Sequence, residues 1–216
     1  MVITEAGCMG VKPGLDIMNR STPEGAIISD LYKMATTESG GPHRIYWGLE
    51  RENPSKIWAF FDWDSVTQHR DFAKAHGERV VEDMSKICIN KEFSKHLTMI
   101  PSSDVLRSPV AGVILAYFPA DTSLTKKDEV SQQMQDILTK FFQDTEVKIA
   151  YGWSLENEIE VPSSNRLLGT LLKVFVGVPS LDDAVFENAR AAVMNISGII
   201  GFDAFSVSFD HLERSA

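Results

Sequence analysis

Cysteine is scarce in this sequence: Cys8 and Cys88 are the two in 216 residues. That is too few for a disulfide framework, and neither stands in a C-x-x-C pair that would mark a metal or redox site. Long hydrophobic runs are missing too. The most apolar stretches, Ser108 to Pro119 and Leu167 to Pro179, each end at a proline and fall short of the roughly 20 apolar residues of a spanning helix. Basic charge is in deficit, with 21 Lys and Arg against 30 Asp and Glu and a net charge of -9, so nucleic acid is repelled rather than steered in. There is no H-E-x-x-H, and Gly10-Val11-Lys12-Pro13-Gly14 reads as a turn rather than a phosphate loop or dinucleotide fingerprint. The N-terminus lacks the basic start and apolar core of a secretory signal. These absences lead to the expectation of a cytoplasmic protein with no nucleic-acid or membrane partner, no metal and no cofactor.

What is present is an average globular composition, 44% hydrophobic, 9% aromatic and 24% charged, at a length that suits one large domain or two small ones. The order of predicted elements repeats from about Ser108 onward. In the first half, Val2 to Met9 reads as a strand. Ser21-Thr22-Pro23-Glu24 opens a helix whose apolar positions Ile27, Ile28, Leu31, Tyr32 and Ala35 keep helical spacing up to Gly40-Gly41-Pro42. Strands Arg44 to Glu50 and Lys56 to Trp63 follow around an Asn-Pro turn, then a helix capped at Asp64 or Ser65, then a strand from Phe93 to Ile100.

The second half repeats this β-α-β-β-α-β order. A strand Val110 to Phe118 precedes a helix with Val130, Met134, Ile137 and Leu138 in one stripe. Strands Val147 to Leu155 and Leu167 to Val178 flank a polar loop at Asn157 to Asn165, and a helix Leu181 to Ile196 leads to a final strand Gly201 to Leu212. The expected fold class is α+β, two tandem ferredoxin-like halves, 1–105 and 106–216, forming a pseudo-dimeric α+β barrel. Both alternating sets of Val110 to Phe118 are apolar, which calls for cover on both sheet faces. Packing the two sheets together would provide it, and the chain is then expected to be a monomer.

Ile45-Tyr46-Trp47-Gly48, the hairpin, and Trp63-Asp64-Ser65 running into a helix with His69 and Phe72 resemble the dimeric α+β barrel superfamily, in particular tandem fungal proteins of the antibiotic biosynthesis monooxygenase type. The Tyr-Trp-Gly strand is also similar to the stress-responsive branch, whose plant cyclase carries a catalytic Tyr and His on the helix after the third strand. Laid on this sequence, those two positions fall on Phe72 and Glu78, so the cyclase residues are not reproduced in place. The resemblance implies a cofactor-independent enzyme of secondary metabolism acting on an apolar aromatic or polyketide-derived small molecule, and the histidine-rich first half points to proton transfer as its reaction, a cyclisation, isomerisation or elimination. A cofactor-free monooxygenase and a non-catalytic binding or stress-response module are the alternatives. Haem, a rarer use of the superfamily, would need an axial histidine.

The candidate catalytic residues are His69, His76 and His96, since imidazole is the usual general acid or base near neutrality. His69, Phe72 and His76 are spaced i, i+3 and i+7, on one helix face; the bland alternative has His69 bonding the hairpin and His76 in solvent. His96 alternates with Ser94 and Thr98, against Phe93, Leu97 and Met99 on the other strand face. It points into the barrel if the apolar set meets the helices, or lies on an exposed edge. His43 reads as a loop residue. Tyr46, Trp47, Trp58, Phe60 and Phe72 are the candidate substrate-binding rings, and Glu50 and Asp62 are candidate charged partners for a histidine. Aligning Phe186 with Phe72 sets Asp183 opposite His69, so the working cavity is expected in the first half.

Overall fold

The computed structural model describes residues 2–143, 146–162 and 167–214, with the backbone alone at Lys91 and Glu92. The chain divides into two compact units, Met1–His96 with Phe209–Ala216, and Leu97–Ser208.

The first unit runs β1 (Ile3–Val11), α1 (Pro23–Thr37), β2 (Arg44–Leu49), β3 (Lys56–Trp63), α2 (Val66–Ile87) and β4 (Cys88–Leu97). Thr22 caps α1 by accepting from the Gly25 N–H, with Pro23 in the first turn where its missing N–H costs nothing. Ser65 caps α2 by accepting from the Gln68 N–H. Beyond α1 the chain passes through Gly40 at φ 75°. At Gly41 an added Cβ would fall 1.9 Å from the Ala35 carbonyl oxygen, which explains the glycine. Strand β4 begins five residues earlier than the sequence suggests, because Cys88 turns extended (φ -111°, ψ 155°) while its N–H still bonds the Met84 carbonyl.

The second unit holds β5 (Val110–Pro119), α3 (Leu124–Phe141), β6 (Lys148–Trp153), β7 (Ile159–Glu160), β8 (Leu168–Val178), α4 (Asp183–Met194) and β9 (Gly201–Val207). The short β7 pairs with β8 inside the expected polar loop; residues 163–165 of that loop lie outside the described residues. The expected last strand is in fact two. It breaks at Ser208 and Phe209, and β10 (Asp210–Glu213) pairs with β2 in the first unit's sheet, His211 opposite Tyr46.

Strand order is β10-β2-β3-β1-β4 in one sheet and β6-β8-β5-β9 in the other. Without the added β10 and β7, both orders are the ferredoxin-like one, so the α+β fold class stands. In the first unit the pleat divides the residues cleanly. Thr4, Ala6 and Cys8 of β1 and Trp58, Phe60 and Asp62 of β3 share the face away from the helices, whereas Glu5, Gly7, Met9, Ala59, Phe61 and Trp63 face α1 and α2.

Candidate active site

A cavity of about 470 Å³ opens between the helix-facing side of the first unit's sheet and helices α1 and α2, within the size range of small-molecule sites. Its cause is legible residue by residue. Gly7 and Ala59 on the sheet face Ala73 and Gly77 on α2 and Ala35 on α1, small side chains on every wall where a packed core would interdigitate large ones. The corresponding layer of the second unit is closely packed at Gly112. There, an added Cβ on Gly112 would meet the Phe186 ring at 2.4 Å.

The cavity is polar at one end. His69 Nε2 lies 3.2 Å from Glu5 Oε2, and His69 Nδ1 lies 2.8 Å from His96 Nε2. Ser94 donates its hydroxyl to Glu5 Oε1 at 3.0 Å. The His69 ring stacks on Trp63, 4.9 Å between centroids and 29° between planes. The neutral arrangement that satisfies both imidazole contacts has His69 donating Nε2–H to Glu5 and accepting at Nδ1 from His96 Nε2–H. The Glu5 carboxylate is then the charged acceptor bordering the cavity, with two imidazoles aligned behind it. Glu5 and His69 side chains keep 13% and 20% of their surface exposed, while His96 is buried.

Tyr32 and Trp63 also line the cavity with their rings. Trp63 Nε1 and the Tyr32 hydroxyl are both buried and have no hydrogen-bond partner among the described residues. Burial pushes the Tyr32 phenol well above its ordinary range, with Cys88 and Glu5 adding to the shift, so it stays a neutral donor. The far end of the cavity is apolar, lined by Met9, Val80, Met84, Cys88 and Ile89. Burial raises the Cys88 thiol from 9.0 to about 11, against a smaller lowering by Lys12, and keeps it protonated near neutrality.

The structure gathers some of the residues singled out in the sequence and scatters others. His69 and Phe72 line the cavity. His96 lies on the helix side with Ser94 rather than pointing away from the helices, because Phe93 turns to the other face and meets Trp58 at 5.7 Å. His76 meets the Phe72 ring at 4.5 Å, tilted by 31°, but lines a neighbouring groove with Gln68 and Asp71. Tyr46, Trp58 and Phe60 sit on the opposite sheet face. Trp47 is on the helix side, buried beneath Tyr32 at 5.0 Å. His43 bonds Asp64 at the surface.

Neither Glu50 nor Asp62 is the carboxylate that meets His69. Glu50 accepts from Trp58 Nε1 at 2.7 Å. Asp62 accepts from Thr4 at 2.8 Å and pairs with Arg44 at 3.0 Å. The carboxylate that does, Glu5, is missed by the motif reading. The signal was an acid sharing one strand face with Ile3, Gly7 and Met9.

No family model matches this chain, and no curated protein matches it. Solved structures do. An anthrone oxidase-like protein superposes with a TM-score of 0.65 at 11% identity, covering 100% of this chain and 94% of its own. A Fusobacterium nucleatum protein assigned as a monooxygenase reaches 0.54 at 12% identity, covering 100% and 95%. A variant of the chlorite dismutase from Candidatus Nitrospira defluvii reaches 0.57 at 11%, covering 97% and 91%. The likeness agrees with the α+β fold, ferredoxin-like in each unit. At these identities the likeness carries the fold and stops there.

A haem does not fit this cavity, whose lining histidine is His69. All five histidines of the sequence belong to the first unit, and at its cavity both nitrogens of His69 are taken by Glu5 and His96, leaving none to ligate iron. Among the described residues no group of three or more His, Cys, Asp or Glu could hold a metal ion, and no helix is long and apolar enough to cross a membrane.

Proposed function

We propose that this chain is a cofactor-free oxygenase of the antibiotic biosynthesis monooxygenase type, acting on a flat, apolar, enolisable aromatic molecule of polyketide origin. The observation that carries the proposal is the Glu5–His69–His96 chain opening on an apolar cavity. The Glu5 carboxylate takes a proton from an activated carbon of the substrate, and His69, bridging Glu5 and His96, stabilises the charge as it moves. The Trp63 ring, stacked on His69, fixes the plane of that imidazole beside Glu5. The carbanion reduces dioxygen directly. For a methylene between two rings, both C–H bonds and the O–O bond break. One oxygen atom forms the carbonyl, and the other leaves as water with both protons, the four electrons given up by the carbon being those that dioxygen takes. The neighbours named for anthrone oxidation and monooxygenation support this reading over proton transfer alone.

An oxygen electrode with 9-anthrone tests it. The expected result is uptake of one dioxygen per anthraquinone formed, faster than the spontaneous reaction and lost in Glu5→Gln. Rearrangement of a substrate without oxygen uptake would return the chain to the proton-transfer class.

A further inference from the structure

Resting on the reading of this cavity as an aromatic-substrate site, we infer that Gly77 is a specificity-determining residue, whose missing side chain leaves room for a ligand that extends past its reacting ring toward the apolar end, such as four rings fused in line. Gly77 lies on α2 eight residues beyond His69, which sets it about 12 Å further along the helix at roughly 1.5 Å per residue. A three-ring ligand reacting at its central ring beside Glu5 reaches one ring to either side and ends short of that point. The cavity does not end there. Beyond Gly77 it continues to Met84, Cys88 and Ile89, and the extension it admits is apolar like those walls. Gly77 stands one turn after Ala73 and seven residues before Met84, spacings that share a helix face, and both of those residues line the cavity. Met84 is 6% exposed and belongs to the core, so this face of α2 turns toward the sheet. An added Cβ at Gly77 meets nothing within 4 Å, and Gly77 is itself partly exposed in the cavity wall, where a ligand can touch it. Glycine is among the poorest residues for a helix interior, yet α2 runs unbroken through this position. Alanine or leucine would suit the helix better and no close contact requires glycine, so what the position supplies is volume.

Gly77→Leu and Gly77→Ala test this, with quenching of tryptophan fluorescence as the binding signal, since Trp63 lines the cavity. In the ligand-free protein both substitutions should keep or raise the melting temperature; a fall of several degrees in Gly77→Leu would show that the space is not open and overturn the inference. The probes are 9,10-anthraquinone and 5,12-naphthacenequinone, which share a pair of ring carbonyls and differ by one fused ring. The wild type should bind the longer quinone about tenfold more tightly, from the extra apolar area buried. Gly77→Leu, overpacked against the added ring, should lose that preference and bind anthraquinone nearly as before, while Gly77→Ala should keep most of it. A preference retained in Gly77→Leu, or an equal loss of both quinones, overturns the role of Gly77. A wild type that binds anthraquinone and gains nothing from the fourth ring sinks the inference and leaves the aromatic-site reading standing, whereas failure of both quinones to bind the wild type removes that reading and the inference with it.

Discussion

On the proposed reading Glu5 and His69 divide the work at one end of the cavity, and each can be replaced without emptying the core. Glu5→Gln keeps the shape and the hydrogen bond from Ser94 but cannot take a proton. It should lower kcat by about a hundredfold or more, the usual range for a lost general base, with the melting temperature little changed. His69→Ala should slow turnover similarly. His69→Gln, which keeps one hydrogen bond but does not titrate near neutrality, should not rescue it. Single-turnover rates measured beside thermal melts separate these outcomes from a structural loss, in which Gln would restore both stability and rate. Cys88 makes a prediction of the opposite kind, about stability alone. Below pH 9.0 its thiol is protonated whether the chain is folded or not. Between 9.0 and about 11 the unfolded thiol ionises while the folded one stays protonated, so stability falls as pH rises through that window. Cys88→Ala should flatten this part of the alkaline melting curve.

At the scale of elements, α2 explains the cavity of the first unit. Of its 22 residues only Phe72, Met84 and Ile87 are buried, and between them Ala73 and Gly77 leave the sheet uncovered. Gly77 has nothing within 4 Å of an added Cβ, and a glycine inside a helix costs roughly 1 kcal/mol against alanine. Gly77→Ala should therefore raise the melting temperature. Gly112→Ala in the second unit should do the reverse. There the added methyl runs into Phe186, which is buried and closely packed, and such overpacking costs about 1–3 kcal/mol. A pair of differential melts on these two variants checks the contrast. One glycine faces open space and the other faces a ring.

For the molecule as a whole, the tandem repeat brings two ferredoxin-like units in one chain, and the histidines all fall in one of them. Asp183, the first residue of α4 in the second unit, is expected to be dispensable: Asp183→Asn should leave turnover unchanged in the same assay that reads Glu5→Gln. The chain end is expected to matter for stability rather than chemistry. Phe209 packs edge-on against Phe60 at 5.5 Å, on the sheet face away from the cavity, and β10 adds its ladder to β2. Phe209→Ala should thus lower the melting temperature with kcat retained. Sedimentation is expected to show a monomer, and an obligate dimer would refute that expectation.

The sequence by itself determined the element order, because period and punctuation are local. The Thr22-Pro23 and Ser65 caps, the Asn53-Pro54 turn and the helical stripe of α3 all stand where the pattern sets them, and the repetition of that order is enough to give the ferredoxin-like halves. Which side of the sheet holds the site is a different matter. Strand alternation shows that Tyr46, Trp58 and Phe60 share one face and Trp47, Phe61 and Trp63 the other, but which face has an opening depends on the volumes of residues distant in the chain, Gly7 with Ala59, Ala73 and Gly77. Tertiary structure alone decided this, as it decided that His96 turns toward His69 and that the acid completing the chain is Glu5, 64 residues from His69 by the numbering. A hydrogen bond acts over about 3 Å, and local pattern carries no information about which distant side chains the fold will bring that close.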